Sequence, residues 1–331
     1  MRKNNIAEKP SRSKFILSAF ILLLLCIAGV LLILLMRESP YDKISEVTIR
    51  TAAAARLAAV TQHNKAPNDL TDDDFAKITE LDLDGTGLSD IRLLEKFTNL
   101  QELNLRHNII SPPVRPKWKA ILMRLFHIDS PKRILLDLGP LKNLSNLRKL
   151  ALNSSEVKNI RPLSNLTNLQ ELDLSYSGIS DIEPIKGLIH LNMLCLLFTQ
   201  VTDLEPIKGL DNLKILYLSG TPVSNIEPLR NLENLEWIFL DDTNIKDLES
   251  LKELTNLKGL NLGRTRISSL EPVKGLTNLK RIILTESPIT DLEPIKGLKN
   301  LESFYIRNCI NITDEQVADL QRALPELDIS R

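Results

Sequence analysis

The side chains most often used in catalysis are scattered along this chain of 331 residues. Its four histidines are far apart in sequence, and no two of them have the spacing of a metal-binding pair. They are His63, His107, His127 and His190. The chain also has no CxxC, HExxH or GxSxG motif and no phosphate-binding loop. These observations predict a protein that is not an enzyme and that holds no cofactor.

Two groups of polar residues have suitable chemistry but a simpler structural explanation. The carboxylates of Asp72, Asp73 and Asp74 would suit a metal ion, yet they follow Thr71, and acids after a hydroxyl residue favour the start of a helix. We therefore predict no metal site there. Small hydroxyl residues also recur at one fixed spacing: Ser177, Thr199, Thr221, Thr243, Thr265 and Ser287. We expect them to hydrogen-bond the backbone and not to act as nucleophiles.

The recurring hydroxyls mark a repeat of 22 residues. The stretch from Leu169 to His190, LQELDLSYSGISDIEPIKGLIH, recurs with its leucines in place. Units in this frame begin at Leu147, Leu169, Leu191, Leu213, Leu235, Leu257, Leu279 and Leu301. Self-similarity at a short fixed period is typical of a solenoid, in which each unit buries its apolar face against its neighbours.

Each unit combines a strand pattern with a turn pattern. The alternation in Leu172-Asp173-Leu174 has the period of two that is typical of a short strand with one buried face. Pro184 lacks a backbone donor and has a fixed φ, which favours a short helical turn. The sequence therefore predicts an α/β solenoid, with a parallel sheet on the concave side and turns or 3₁₀ helix on the convex side.

This repeated L-x-x-L-x-L pattern resembles the leucine-rich repeat proteins of the 22-residue type. It is similar to the bacterial internalin-like and phosphatase-regulator-like subclass, from about Leu70 to the C-terminus. The resemblance implies a horseshoe-shaped array that acts as a protein-binding scaffold. The chain has no LPxTG motif, so the resemblance does not imply a wall-anchored invasin.

The N-terminal part predicts a membrane anchor. Residues 1–14 carry five basic residues against one acid, and a predominantly apolar run without charged residues follows over 15–36. A helix of this length reaches roughly 33 Å, enough for a hydrocarbon core of about 30 Å. The positive-inside rule places 1–14 in the cytoplasm and the repeats in the periplasm or outside the cell. We predict a single-pass signal anchor, with cleavage as a signal peptide as the alternative.

The remaining predicted boundaries follow from breaks in the pattern. Helix-forming residues from Tyr41 to about Gln62 predict a juxtamembrane helix, which is either a stalk or part of the cap. A final helix, capped by Thr313 and Gln316, should close the coil. The predicted segments are a helix and linker at 37–69 and a repeat domain at 70–331, with an N-terminal cap at 70–77, ten repeats from 78 and a C-terminal cap at 313–331.

An insert at 112–136 interrupts the repeat frame. Its apolar residues have helical spacing and its charged residues are mostly basic, which predicts a basic amphipathic helix. The helix either folds back over neighbouring repeats or contacts a membrane surface or a partner. The residues in question are Arg115, Lys117, Trp118, Lys119, Ile121, Leu122, Leu125 and Phe126.

The residues that should project from the concave sheet differ between units. The early units have polar residues there, such as Glu102, Asn104 and Arg106, then Glu171, Asp173 and Ser175. The middle units have apolar and aromatic ones, which suit the core of a protein interface. The predicted partner-binding residues are Met193, Cys195, Leu197, Phe198, Ile215, Tyr217, Trp237 and Phe239, with Asp241 and Asp242 at the rim to select a basic partner. A homodimer contact, or side chains that cover one another, are the alternatives.

The overall charge is balanced, with 42 basic and 42 acidic residues, and gives no argument for a nucleic-acid partner. We predict a membrane-anchored scaffold that recognises another protein, of unknown identity, with its concave face. Two alternatives stay open: a regulatory adaptor that faces the cytoplasm, and a self-associating structural protein of the envelope.

Overall fold

The computed structural model describes residues 40–61, 64–108, 136–155 and 157–331. The chain divides into two compact units, Met1–Ile44 and Ser45–Arg331, and the second contains the repeats. Among the described residues, no helix has both the length and the apolar character needed to cross a membrane. The predicted anchor at 15–36, and the insert apart from Leu136, lie outside the described residues.

Eleven short parallel strands form one sheet in the described part of the unit Ser45–Arg331, in the order in which they occur along the chain. Each strand has three residues, and from β1 to β10 the middle one is buried in the core. Leu194, Leu216 and Ile238, for example, are partners in neighbouring strands. The strands are β1 (Glu80–Asp82), β2 (Glu102–Asn104), β3 (Lys149–Ala151), β4 (Glu171–Asp173), β5 (Met193–Cys195), β6 (Ile215–Tyr217), β7 (Trp237–Phe239), β8 (Gly259–Asn261), β9 (Arg281–Ile283), β10 (Ser303–Tyr305) and β11 (Asp328–Ser330).

Short 3₁₀ helices occupy the convex part of the units, as the sequence predicted. In a typical unit, Asp181 Oδ1 accepts a hydrogen bond of 2.9 Å from the backbone N–H of Glu183, which opens the 3₁₀ turn just before Pro184. The 3₁₀ helices span Pro67–Asp69, Arg92–Lys96, Gly139–Leu141, Arg161–Asn165, Glu183–Ile185, Glu205–Ile207, Glu227–Leu229, Glu249–Leu251, Glu271–Val273 and Glu293–Ile295. The parallel sheet and these turns confirm the predicted solenoid.

The recurring hydroxyl side chains hydrogen-bond to buried backbone carbonyls. The buried hydroxyl of Thr243 donates to the Leu240 carbonyl at 2.5 Å, and Ser177, Thr199, Thr221 and Thr265 donate in the same way to the carbonyl three residues earlier. Ser287 differs, since its hydroxyl reaches the Leu262 carbonyl of the preceding unit at 3.0 Å. These hydroxyls therefore satisfy buried carbonyls, which is the structural role that their spacing predicted.

A helix packs on the first repeat and closes the N-terminal end of the core. It is α1 (Pro40–Thr61), and its Ile49, Ala53 and Leu57 are buried in the same cluster as the repeat leucines. Ser45 Oγ also accepts a hydrogen bond of 3.1 Å from the Ser89 N–H. Of the two roles left open by the sequence, α1 is part of the cap, and the packed unit begins well before residue 70.

A short second helix, α2 (Asp72–Phe75), begins as the sequence predicted, with Thr71 at its N-cap and three acids in its first turn. Asp74 is buried, and its Oδ2 accepts hydrogen bonds from Lys65 Nζ at 2.7 Å, the Thr71 hydroxyl at 2.8 Å and the Thr71 N–H at 2.9 Å. The bond from Lys65, followed by those from Thr71, holds the pKa of Asp74 far below its ordinary value. Thr71 and Asp74 therefore form a capping box at the start of α2, and the Thr71 hydroxyl also donates to the Asp74 carboxylate.

The C-terminal end contains one more strand than the sequence predicted. The helix α3 (Asp314–Ala323) has the expected capping box, in which the Gln316 N–H donates to Thr313 Oγ1 at 3.2 Å and the Thr313 N–H donates to Gln316 Oε1 at 2.9 Å. After this helix the chain returns to the sheet as β11, which pairs in register with β10. The cap thus extends the sheet as well as covering the core.

Candidate protein-binding surface

The side chains on either side of each buried strand residue form the outer face of the sheet, here called the concave face. Because the strands are in register, these side chains line up in columns. One column contains Met193, Ile215 and Trp237. The next column contains Cys195, Tyr217 and Phe239. The predicted residues of three consecutive units therefore lie side by side, and with Leu197 and Phe198 we call these eight residues the apolar patch.

Most of the apolar patch is half-buried. Cys195 is almost covered, whereas Phe198, at the edge of the face, is 48% exposed. The rings of Tyr217 and Phe239 stack with centroids 4.5 Å apart and planes inclined by 12°. The side chains thus cover one another in part, one of the alternatives left open, while still presenting a continuous apolar surface.

The two titratable groups in the patch are kept neutral at physiological pH. Burial, and secondly the nearby charge of Asp173, raises the pKa of the Cys195 thiol to about 12. Burial also raises the pKa of Tyr217. A neutral thiol behaves as a small apolar side chain, so Cys195 is suited to packing and not to nucleophilic chemistry.

Gly259 makes room for the indole of Trp237. A Cβ atom at Gly259 would lie only 2.0 Å from Trp237 Cε3 and 2.1 Å from Cζ3, so the ring lies directly against the backbone of β8. Gly220 accommodates Phe198 in a similar way, since a Cβ atom there would lie 2.4 Å from Phe198 Cδ1. The patch therefore depends on missing side chains in neighbouring units as well as on its own aromatic residues.

Tyr176 extends the apolar patch, and sequence reasoning missed it. Its ring stacks on Phe198 with centroids 5.0 Å apart and planes inclined by 20°, and 56% of the residue is exposed. Tyr176 and Phe198 both have a positive φ, of 56° and 52°, at the same position of consecutive units. The signal was present in the sequence, because Tyr176 stands 22 residues before Phe198.

The two acids predicted at the rim are engaged within the chain. Asp242 forms a two-pronged pair with Arg264, whose Nε and Nη2 are each 2.5 Å from a carboxylate oxygen, and this holds the pKa of Asp242 below its ordinary value. Asp241 accepts hydrogen bonds from Asn261 Nδ2 at 2.7 Å and from the Ser219 hydroxyl at 2.5 Å. The selection of a basic partner by these two acids stays a prediction.

Next to the apolar patch, the strands β1 to β4 form a depression of about 360 Å³ that we call the charged depression. Ala151 lies in its wall between longer side chains. Lys149 Nζ lies 3.0 Å from Glu102 Oε1 and 3.8 Å from Glu171 Oε1, and the hydrogen bond to Glu102 is the largest contribution that raises the pKa of Lys149. The sequence had already placed polar residues here, but it had not indicated a depression.

Two further predictions concern the residues of the insert and the absence of a metal site. All the insert residues from Arg115 to Phe126 lie outside the described residues. In the part of the chain that the structure describes, no group of three or more His, Cys, Asp or Glu side chains is arranged to hold a metal ion.

Comparison with known proteins identifies the repeat. Residues 145–187 match the family model described as leucine-rich repeats in two copies. The solved structure of internalin C2 from Listeria monocytogenes is similar, with a TM-score of 0.62 and 28% sequence identity over 75% of this chain and 97% of that chain. The repeats are thus leucine-rich repeats, and the chain is similar to internalins.

Further solved leucine-rich repeat structures show the same fold. A second internalin of Listeria monocytogenes, InlF, has a TM-score of 0.65 and 25% identity over 88% of this chain and 90% of that chain. The ectodomain of a plant receptor kinase from Arabidopsis thaliana, solved with Casparian strip integrity factor 2, has a TM-score of 0.58 and 17% identity over 86% of this chain and 35% of that chain, so it shows the fold alone. The comparison with curated proteins gives no match.

The leucine-rich repeat fold is consistent with a protein-binding scaffold. The repeat ladders use the hydroxyls for backbone bonds, and burial holds the Cys195 thiol in its neutral form. The arrangement on the concave face is therefore suited to binding.

Proposed function

We propose that this protein is a membrane-anchored scaffold that recognises another protein through the apolar patch on its concave face. The observation that carries the proposal is the departure of three consecutive units from the polar pattern of the earlier ones. Aromatic and Met side chains line up there in two columns on an accessible sheet face. Such residues are enriched at the centres of protein interfaces, where they contribute most of the binding energy.

The membrane part of the proposal rests on the N-terminal sequence. The apolar run over 15–36 is long enough to span a bilayer, and the basic residues over 1–14 favour a cytoplasmic N-terminus. The repeats would then lie in the periplasm or outside the cell. A C-terminal fusion to a reporter that is active only after export tests this, and activity of a cytoplasm-specific reporter instead would favour the adaptor that faces the cytoplasm.

Affinity capture from detergent-solubilised membranes of the source cells tests the binding role. The full-length protein is compared with the double variant Trp237→Ala and Phe239→Ala, after thermal unfolding has shown that the variant is folded. The matched control is Ile189→Ala with Ile310→Ala, which removes two exposed apolar side chains outside the patch. We expect a partner that binds the wild type and the control but not the patch variant.

Identical captures by all three proteins would contradict a role for the patch and would direct attention to Trp118 in the insert. Sedimentation of the purified chain separates a homodimer from a scaffold for another protein. A concentration-dependent dimer that is abolished by Trp237→Ala would show that the patch is a contact between two copies.

A further inference from the structure

The concave face changes its chemistry along the sheet. The charged depression occupies β1 to β4, and the apolar patch follows on β5 to β7. Beyond the patch, a hollow of about 400 Å³ is lined by Arg281, Ile283, Thr285, Tyr305, Arg307 and Ser330. We call it the basic hollow. The three regions succeed one another along a single sheet, so one extended ligand can contact all of them.

The charged depression has a surplus of negative charge. Its wall contains the five carboxylates Glu80, Asp82, Glu102, Glu171 and Asp173, against the three cations Arg56, Arg106 and Lys149. Each cation already has an acidic partner within the wall. Asp82 accepts hydrogen bonds from Asn104 Nδ2 at 2.8 Å and from the Asp84 N–H at 3.1 Å, but it pairs with no cation in the described part of the chain. A cationic group of a ligand would complete this arrangement.

Two buried oxygen atoms beside the charged depression also lack partners. Ser175 Oγ and Asn153 Oδ1 make no hydrogen bond with any of the residues that the structure describes. Ser175 is 3% exposed and follows Asp173 at the next concave position. Buried polar atoms without partners are unfavourable, but both oxygens have almost no accessible surface, so the carboxylates and not these two atoms are the groups that the depression presents to a ligand.

The basic hollow has the opposite charge. Neither Arg281 nor Arg307 forms an ion pair within the described residues, and no acid lines the hollow. Arg264, one unit before Arg281, is by contrast paired with Asp242. A free guanidinium binds a carboxylate well, because its fork of donors matches the two carboxylate oxygens. The hollow therefore suits an acidic side chain or a terminal carboxylate, with the Thr285 and Tyr305 hydroxyls nearby.

From these observations we infer that the partner binds as an extended polypeptide segment, with a basic residue in the charged depression, apolar residues on the patch and an acidic group in the basic hollow. The inference rests on the proposed function. Eight strand spacings separate β1, which carries Asp82, from β9, which carries Arg281, or roughly 38 Å at about 4.8 Å each. An extended chain advances about 3.3 Å per residue, so about twelve residues separate the two charged ends.

Selection from a displayed library of random peptides of about 16 residues tests the inference on the full-length protein in detergent. The wild type should enrich peptides in which a Lys or Arg and an Asp or Glu stand about eleven to thirteen positions apart, with apolar or aromatic residues between them. A synthetic peptide of the enriched sequence is then titrated by fluorescence anisotropy. Its affinity should fall as the salt concentration rises, because the charged ends are at the surface.

Three double variants test which region of the concave face binds which part of the peptide. Asp82→Asn with Glu102→Gln should relax the requirement for the basic residue only, and Arg281→Gln with Arg307→Gln should relax the requirement for the acid only. Each should weaken the wild-type peptide about tenfold, as expected for two accessible charges. Trp237→Ala with Phe239→Ala should abolish enrichment. All three variants keep the buried strand residues, and thermal unfolding checks their fold.

The outcomes separate the inference from the proposed function. If the charge variants select the same peptides as the wild type, or if the wild type enriches no peptide with oppositely charged ends, the inference is wrong. A patch variant that loses the captured protein would still support the scaffold in that case. If the patch variant also captures the protein and enriches the wild-type peptides, the proposed function fails as well.

Discussion

Inward-facing and outward-facing residues of the same strand are subject to different constraints, as β6 illustrates. Its central residue, Leu216, faces the core and is fully buried between two equivalent residues of the adjacent strands. Its neighbours Ile215 and Tyr217 face outward, where the units before and after carry different side chains. Inward positions must fill the same space in every unit, so they repeat. Outward positions have no such constraint, so the residues found there reflect what the surface contacts.

The largest expected effect is on the inward side. Leu216→Ala should lower the free energy of unfolding by about 2 to 5 kcal/mol, because it removes buried methyl groups and leaves a cavity between two units. Urea denaturation followed by circular dichroism measures the change. Since each unit stabilises its neighbours, we expect the units on either side of β6 to lose stability as well.

The matched variant is Tyr217→Ala, one residue further along β6. It removes a half-buried ring and its stack on Phe239, so it should cost less than Leu216→Ala in the same denaturation experiment while weakening partner capture more. Equal losses of stability in the two variants would contradict the distinction between inward and outward positions.

Gly259→Ala tests whether the absence of a side chain at Gly259 makes room for the Trp237 ring of the apolar patch. The new Cβ atom would meet the Trp237 ring at 2.0 Å, so the indole must move or the unit must deform. We expect a loss of about 1 to 3 kcal/mol in the free energy of unfolding, typical of overpacking, and a shift of Trp237 fluorescence. The measurement uses a Trp118→Phe background, because the chain contains two tryptophans.

Gly275→Ala is the control for this variant. Gly275 lies in a convex turn, has ordinary φ, and a Cβ atom there would meet nothing within 4 Å. This variant should be neutral or slightly stabilising, because alanine restricts the unfolded chain more than glycine does. Loss of stability in the control but not in Gly259→Ala would argue against close packing of Trp237 on β8.

The repeat explains why so much of the fold followed from the sequence. The period of 22 residues predicted where the strand, the turn and the inward leucines of each unit lie, because every unit has the same leucine pattern and therefore the same local structure. The ends were harder to predict. Helix α1 packs its Ile49 and Leu57 on the first repeat without belonging to the pattern, and β11 comes after helix α3 without the leucine pattern of a unit.

The concave face was predictable in position but not in geometry. The register of Met193, Ile215 and Trp237 follows directly from the period. The stacking of Tyr176 on Phe198, the support of Trp237 by Gly259 and the pairing of Asp242 with Arg264 depend on side-chain directions between units. The sequence period predicts which residues share a column, whereas these contacts depend on side-chain rotamers and on the curvature of the sheet.

A smaller effect is expected for the hydroxyl ladder. Thr243→Val keeps the shape of the side chain but removes the hydrogen bond to the Leu240 carbonyl. Leaving a buried acceptor without this donor should lower the free energy of unfolding by about 1 to 2 kcal/mol. Thr277→Val, at an exposed position of a convex turn, is the control and should change the urea midpoint little. No difference between the two variants would mean that the ladder bond adds nothing to stability.

The smallest effect is expected on the convex side, where Glu-Pro-Ile-Lys recurs. Lys186 Nζ lies 3.1 Å from Glu183 Oε1, and both side chains are exposed, so solvent screens the pair. Lys186→Ala should change the free energy of unfolding by less than about 0.5 kcal/mol, and Lys186→Gln, which keeps the aliphatic stem, by still less. Thermal unfolding at low and high salt measures both. A salt-dependent loss above about 1 kcal/mol would mean that the convex pairs of successive units act as a network, and the convex face would then repeat because selection acts on its charges and not only on the packing beneath them.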